Sequence, residues 1–445
     1  MRVLLVNPWI YDFKCYDFWI KPLGLLKLSS LFKKAGHEVR LVDCMDRHDP
    51  GMPENNKKGE ADGRGAFYCE AAQKPVVYEN VPRKYKQYGL PRNVFEEKIN
   101  NMPAPDIILI TSNMTYTYEG ALAAYNILRH TFPGAKIIIG GIYATLCPAH
   151  AKKNAPTAMV WRGNISPAFL KQLNRMSGAG LDIVDEKEFG EIIPDYSFYP
   201  KTPYAAVRLT SGCPFNCTYC AIKQFCEGYR QRDKTGVLKE FENYSRAGIK
   251  NIAFYDDALL YKNYFIKSVL KSVIKKGFDF NYFTPNGLHA SYIDKETAGL
   301  MKKAGFRDLR ISLESSDFNT QKKTGGKIYN DKFEEAVKNL KNAGFSGADL
   351  GVYILAGLPG QDFDSVKKDA DYVKKLGLKI KIANYSPIPG TMDFNRLKPE
   401  IRAALENEPL KQNEFYFLCI NNLYGWKENE KLKAGINEYN SGLKN

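Results

Sequence analysis

The sequence predicts an α/β protein: a doubly wound parallel sheet, then a six-unit (βα)6 partial barrel, then a short helical tail. Three observations lead there. Short apolar runs alternate with helical patterns between residues 2 and 161. From residue 205 onward strand and helix patterns alternate six more times. An acidic, proline-punctuated stretch, 181–204, separates the two series and reads as a linker.

The first series opens with Arg2-Val-Leu-Leu-Val-Asn7-Pro8, an apolar run ended by proline, which is a buried-strand pattern. A helix follows at 22–35, with Pro22 in its first turn and Gly36 at its end. Glu38-Val-Arg-Leu-Val-Asp-Cys44 is the next strand. Strand, helix and strand in so few residues mean a right-handed crossover in a parallel sheet. Residues 47–104 interrupt the rhythm. Asp49 to Gly65 is rich in Gly, Pro, Asn and charge, and Lys84 to Tyr88 is basic and aromatic, so the insertion is expected to be a long loop. The rhythm resumes with a strand at Asp106–Thr111, a helix at 119–131, a strand from Lys136 to Gly141, and a last strand at Ala158–Trp161. Residues 1–180 thus form a Rossmann-like domain, whose ligands belong at the carboxyl ends of the strands.

The second series, 205–390, has strands at 205–212, 251–257, 279–287, 308–315, 348–356 and 379–386. Its helical patterns end in Gly248, Gly277, Gly305, Gly344 and Gly377. Six βα units make an open barrel, with the chemistry at the carboxyl ends of its strands. Residues 391–445 form a helical tail with an apolar piece from Phe415 to Tyr424, a candidate cap for the open side of the barrel.

The chain has 445 residues, 44% hydrophobic and 25% charged, which is ordinary for a globular protein with a sizeable core. No apolar run is long enough to span a bilayer. The N-terminus runs straight into a strand pattern, without a signal-peptide layout. Nine cysteines, an odd number, do not suit a secreted disulfide framework, so a reducing, cytoplasmic setting is expected. The net charge of +15 comes from lysines spread over many helices rather than a dense basic tail. That is the pattern of a solvated surface, and no nucleic-acid partner is expected.

One stretch carries the chemistry. Cys213-Pro-Phe-Asn-Cys217-Thr-Tyr-Cys220 places three cysteines in eight residues, directly after the first barrel strand. Three thiolates on one loop can hold three irons of a [4Fe–4S] cubane and leave the fourth iron open. The bland alternative is a zinc knot or a set of buried thiols. A structural zinc site wants four ligands, and no second CxxC or histidine pair completes one. Cys226 falls outside the tight spacing, and Cys44 and Cys419 read as buried core thiols.

The C-x3-C-x2-C spacing, with Tyr219 before its last cysteine, resembles the signature of the radical SAM enzymes. That resemblance implies that Cys213, Cys217 and Cys220 bind the cluster. It also implies that S-adenosylmethionine chelates the open iron and is cleaved to a 5′-deoxyadenosyl radical. An external one-electron reductant such as flavodoxin or ferredoxin would feed the cluster. The strand ends supply the residues this implies for S-adenosylmethionine: Tyr219, the acidic pair Asp256 and Asp257, Glu314, and Ile354 and Gly357 of the Gly351–Gly360 segment. For the acidic pair a helix or turn cap is the plainer reading, and for Glu314 a salt bridge, with Arg310 as a partner. His289 could be a general acid or a packed structural histidine. Tyr282, Tyr353 and Tyr385 could line the cavity or simply pack.

The N-terminal half resembles the cobalamin-binding domain found in many radical SAM proteins. Asn7-Pro8, Pro22-Leu23-Gly24, Val42-Asp43, the Ser/Thr-rich end of the third strand and Gly140-Gly141-Ile142-Tyr143-Ala144-Thr145 carry the likeness. It implies cobalamin contacts at Asn7, Pro22, Ser112, Gly140, Gly141 and Thr145. A Rossmann-like domain that only packs on the barrel remains the alternative. Asp46-Arg-His48-Asp-Pro-Gly51 matches D-x-H-x-x-G, a cobalt-ligand motif of other cobalamin proteins, but it follows the second strand instead of the first. The match therefore reads as accidental. Together these resemblances imply methyl transfer to an unactivated carbon of a small-molecule or peptide substrate. Radical cyclisation or rearrangement without methyl transfer is one alternative, and an iron–sulfur electron-transfer protein is another.

Overall fold

The structure is a computed structural model that describes residues 1–53, 59–421 and 426–443. It divides into two compact units, Met1–Pro203 with Lys398–Gln412, and Tyr204–Leu397 with residues 413–443.

The first unit is built on five parallel strands: β1 (Arg2–Asn7), β2 (Glu38–Asp43), β3 (Ile107–Ile110), β4 (Lys136–Ile139) and β5 (Met159–Val160). Their order in the sheet is β5-β4-β3-β1-β2, so the order reverses between β1 and β3. The apolar runs are continuous because the sheet is buried on both faces. Val3, Leu5, Ile107 and Leu109 feed one core with Leu28 and Phe32. Leu4, Val6, Ile108 and Ile110 feed the other with Tyr125 and Leu128.

The 47–104 insertion is not the bare loop expected from its composition. Cys69–Ala71 and Lys86–Tyr88 form an antiparallel sheet with Ile10–Asp12, and Arg92–Asn100 is a helix. Positions 54–58 lie outside the described residues. The buried Arg47 anchors the insertion, pairing with Asp17 at 3.0 Å and donating to the Gly63 carbonyl at 2.5 Å. Asp46 pairs with the buried Lys21 at 3.4 Å. Thus two members of the D-x-H-x-x-G string hold the fold together. The stretch read as a linker is packed: Phe189, Ile192 and Phe198 lie against the first core, and Ser29 donates to Asp195 at 2.8 Å.

The second unit carries β6 (Ala205–Val207), β7 (Asn251–Phe254), β8 (Asn281–Phe283), β9 (Leu309–Glu314), β10 (Leu350–Ala356) and β11 (Lys379–Asn384), all paired in parallel. β6 to β8 form one sheet, and β9 to β11 another with the short strand Leu288–His289. Between β8 and β9 the ladder is carried by a single Tyr282–Phe306 bridge. Helices such as Lys234–Arg246, Tyr264–Lys276 and Phe363–Lys375 cover the outside. The arc does not close. The tail from residue 413 packs on its last strands: Phe417 lies beside Leu355 and Tyr385. The amide of Asn440 both donates to and accepts from the Ile380 backbone, at 2.9 and 2.8 Å. The apolar piece read at Phe415 to Tyr424 runs beyond Asn421 into positions outside the described residues.

Candidate active site

The cysteine loop leaves β6 through Thr210–Ser211, which pairs with Arg230–Gln231 in a short antiparallel ladder. That ladder closes the loop at its base. Gly212 has φ 75°, and a Cβ there would lie 1.9 Å from the Gly228 carbonyl oxygen, so only glycine fits. Inside the loop Lys223 donates to the Cys213 carbonyl at 2.9 Å, and Thr218 donates to Asp393 at 2.8 Å.

Cys213, Cys217 and Cys220 line one cavity of about 360 Å³ at the carboxyl ends of the barrel strands. Burial pushes the Cys220 thiol up to about 11 and raises the other two, so thiolates here need cationic partners. Among the described residues no three His, Cys, Asp or Glu groups converge on a single ion position. In a cubane each thiolate bonds its own iron corner, so the three sulfurs need not share one ion position. Cys226 is buried and does not line the cavity.

Asp257, His289, Glu314 and Tyr219 line the same cavity as the thiols. Asp257 accepts a hydrogen bond from the Gly212 N–H at 3.3 Å, and burial raises its pKa. Glu314 sits at a register shift between β9 and β10 with φ 70°, a left-handed conformation that costs a non-glycine residue about 1–3 kcal/mol. His289 stacks on Phe215 with centroids 4.8 Å apart, its Nε2 lies 3.9 Å from the Cys213 sulfur, and its buried Nδ1 has no protein partner. The phenol of Tyr219 hydrogen-bonds the Cys217 sulfur, and its ring packs with Leu355 and Ala383.

Three residues expected at S-adenosylmethionine do not line the thiol cavity. Asp256 is spent inside the fold: its Oδ1 accepts from the N–H groups of Leu209 and Thr210 at 3.0 and 2.5 Å, and from the Thr210 hydroxyl at 2.7 Å. Burial, working against those bonds, pushes its carboxyl up to about 6. Ile354 is fully buried and off the cavity, while its neighbour Tyr353 lines it. Side chains alternate along a strand, so a one-residue offset changes the face. Gly357 is also off the cavity, its N–H bonded to Gln361 Oε1 at 2.9 Å. The partner of Glu314 is Lys327 at 2.7 Å, not Arg310, whose guanidinium pairs with Asp308. Asn286, in the strand-end run Thr284–Gly287, lines the cavity, and so does Lys327, which sequence reasoning passed over. The Gly325-Gly326 pair ahead of Lys327 was the available signal.

In the first unit the six expected residues gather at the carboxyl ends of the sheet. Asn7 donates to Asp43 at 2.6 Å, Ser112 to the Gly140 carbonyl at 2.6 Å, and Thr145 to the Gly141 carbonyl at 2.7 Å. Pro22 precedes the first turn of the helix Leu23–Lys34. Gly141 has φ 94°, and a Cβ there would lie 2.3 Å from the Ser112 carbonyl oxygen. At Gly140 a Cβ would meet nothing within 4 Å. The polar side chains therefore shape the strand ends, and the open surface is glycine backbone. His48 is half-buried, and desolvation, with Arg47 beside it, lowers its pKa to about 4.

An open six-strand barrel with three thiols in a cavity at its carboxyl edge, on a chain that also carries a doubly wound sheet, defines an iron–sulfur enzyme of the partial-barrel class. Residues 207–373 match the family model of the Radical SAM superfamily. The match spans most of the barrel, and the cofactors of that superfamily are a [4Fe–4S] cluster and S-adenosylmethionine. The chain is 24% identical over 404 residues to an uncharacterized methyltransferase of Pyrococcus horikoshii, covering 83% of this chain and 77% of that one. It is 28% identical over 218 residues to the ribosomal protein uS12 methylthiotransferase RimO of Clostridium botulinum, covering 46% and 48%. Among solved structures it shares the fold of the radical S-adenosylmethionine methyltransferase TsrM of Kitasatospora setae, solved with cobalamin and a [4Fe–4S] cluster. The TM-score there is 0.63 and the identity 16%, over 88% of this chain and 76% of that one. The cobalamin-dependent enzyme OxsB gives a TM-score of 0.56 at 15% identity, over 98% and 61%. No helix among the described residues is long and apolar enough to cross a membrane.

Proposed function

We propose that this protein is a cobalamin-dependent radical SAM methyltransferase acting on an unactivated carbon. The observation that carries the reading is the one cavity that Cys213, Cys217 and Cys220 line together with Asp257 and Glu314. When bound, the cluster and S-adenosylmethionine supply a carbon-centred radical, and cobalamin supplies the methyl group. The protein's part is binding, orientation and exclusion of water. Cys213, Cys217 and Cys220 are the residues that would hold the cluster, leaving it open to S-adenosylmethionine. Asp257 and Glu314 would accept hydrogen bonds from its ammonium and ribose hydroxyls. Tyr219 and Tyr353 wall the cavity. In the first unit the Gly140-Gly141 backbone, free of side chains, is the cradle that fits a corrin tail at the strand ends.

Anaerobic reconstitution with iron, sulfide and hydroxocobalamin tests the reading. The expected product holds one cubane and one cobalt per chain. It releases 5′-deoxyadenosine when reduced with S-adenosylmethionine, and its carbon product gains one methylene in mass. Zinc at the loop, or reduction without deoxyadenosine, refutes the radical reading. Deoxyadenosine without bound cobalt refutes only the methyl-transfer half.

A further inference from the structure

Lys327 is the one cation lining the thiol cavity among the described residues. Its side chain is only 12% exposed. Its place is set by backbone contact, not by the reach of a flexible side chain. The Thr218 N–H donates to the Thr324 carbonyl at 3.2 Å, so the turn carrying Lys327 is bonded to the cysteine loop. Gly325 has φ 118°, and a Cβ there would lie 2.9 Å from the Asn216 oxygen and 3.1 Å from the Cys217 Cα. Only glycine lets the two backbones approach this closely. On its other side the turn is held by the Gly326 N–H on the Gln321 carbonyl at 2.8 Å, and by the Ser291 hydroxyl on the Lys327 carbonyl at 3.3 Å.

We propose that Lys327, fixed on this turn, is the countercharge that sets the reduction potential of the cluster held by Cys213, Cys217 and Cys220. The inference rests on the cluster reading above. A cubane with a 2+ core on three thiolates is already anionic, and accepting one electron from the external one-electron reductant makes it more so. A fixed buried cation stabilises the reduced form, because charge interactions in a poorly solvated cavity are weakly screened. Glu314 has a definite part in this. It orients the ammonium from 2.7 Å and withdraws some of its field from the thiolates. Lys327 is thus a positioning and tuning residue that acts through the cluster, and the two side chains pull the potential in opposite directions.

The test is an EPR-monitored redox titration of the anaerobically reconstituted protein without S-adenosylmethionine, with iron and sulfide counted first. At the wild-type midpoint, Lys327→Gln is expected to show a reduced-to-oxidised ratio about tenfold lower, a fall of about 59 mV for a one-electron couple. Lys327→Arg should restore the midpoint, and Glu314→Gln should move it upward. An unchanged midpoint in a fully loaded Lys327→Gln overturns the inference alone. If that variant retains no cluster, Glu314→Gln decides: a fall or no shift overturns the proposal. A wild-type protein that takes up no cubane overturns the cluster reading, and this inference with it.

Discussion

Removing the Asp256 carboxylate tests whether that residue is a structural anchor. Asp256→Ala strands two backbone N–H groups and a hydroxyl that the native carboxylate satisfies. A buried donor left unpaired costs about 1–3 kcal/mol. The hydroxyl can turn to another acceptor, so the two amides dominate and the expected loss is about 2–5 kcal/mol. Asp256→Asn can keep all three bonds through Oδ1 and removes a buried charge, so it should lose less than about 1 kcal/mol or gain. The same residue predicts a pH dependence. Its carboxyl titrates at 3.8 when unperturbed and at about 6 in the fold. Between those values the native state keeps a proton that the unfolded chain has lost, so stability falls as pH rises through the window and levels off above it. A gap of about two units is worth about 3 kcal/mol. Thermal melting of the apoprotein at pH 4, 5, 6 and 8 reads both effects, at about 2–4 °C per kcal/mol for a unit of this size. Asp256→Asn should flatten the decline between pH 4 and 6. Equal damage from the Asn and Ala variants, or no damage from Ala, would refute the anchor assignment.

Other substitutions bear on the remaining parts. Cys213→Ala, Cys217→Ala and Cys220→Ala should each abolish the four-iron count and its visible absorption, while Cys226→Ala should keep both. Gly325→Ala forces a Cβ against the cysteine loop at a positive φ. It should cost about 1–3 kcal/mol in melting and lower iron retention. Glu240→Ala leaves the buried Arg232 without its 2.6 Å carboxylate partner. A loss of about 3–5 kcal/mol is expected by denaturant titration. Gly140→Leu fills the open spot at the end of β4 and should weaken hydroxocobalamin retention without changing the melt.

Both sheets were legible because buried parallel strands read as uninterrupted apolar runs; Ile107–Ile110 and Lys136–Ile139 are examples. The insertion was not, because its strands are three residues long and the middle one, Lys86–Tyr88, takes its register from Ile10–Asp12, about seventy-five positions earlier. The cysteine loop was legible as a local spacing. The far wall of the cavity depends on facts that spacing does not encode. Alternation puts Tyr353, not Ile354, on the cavity. Of two adjacent acids, Asp256 turns inward to Leu209 and Thr210 while Asp257 lines the cavity. Lys327 reaches the thiols because a turn more than a hundred residues downstream is bonded to Thr218.

An arc of strands that never closes must end in a row of unpaired peptide groups, and such a rim invites another chain to add itself. The Asn440 amide, spanning both polar atoms of Ile380, acts there as a one-residue imitation of the missing neighbour. Removing the helix Trp426–Gly442 would therefore leave that rim as a template, and self-association in light scattering would be the first symptom.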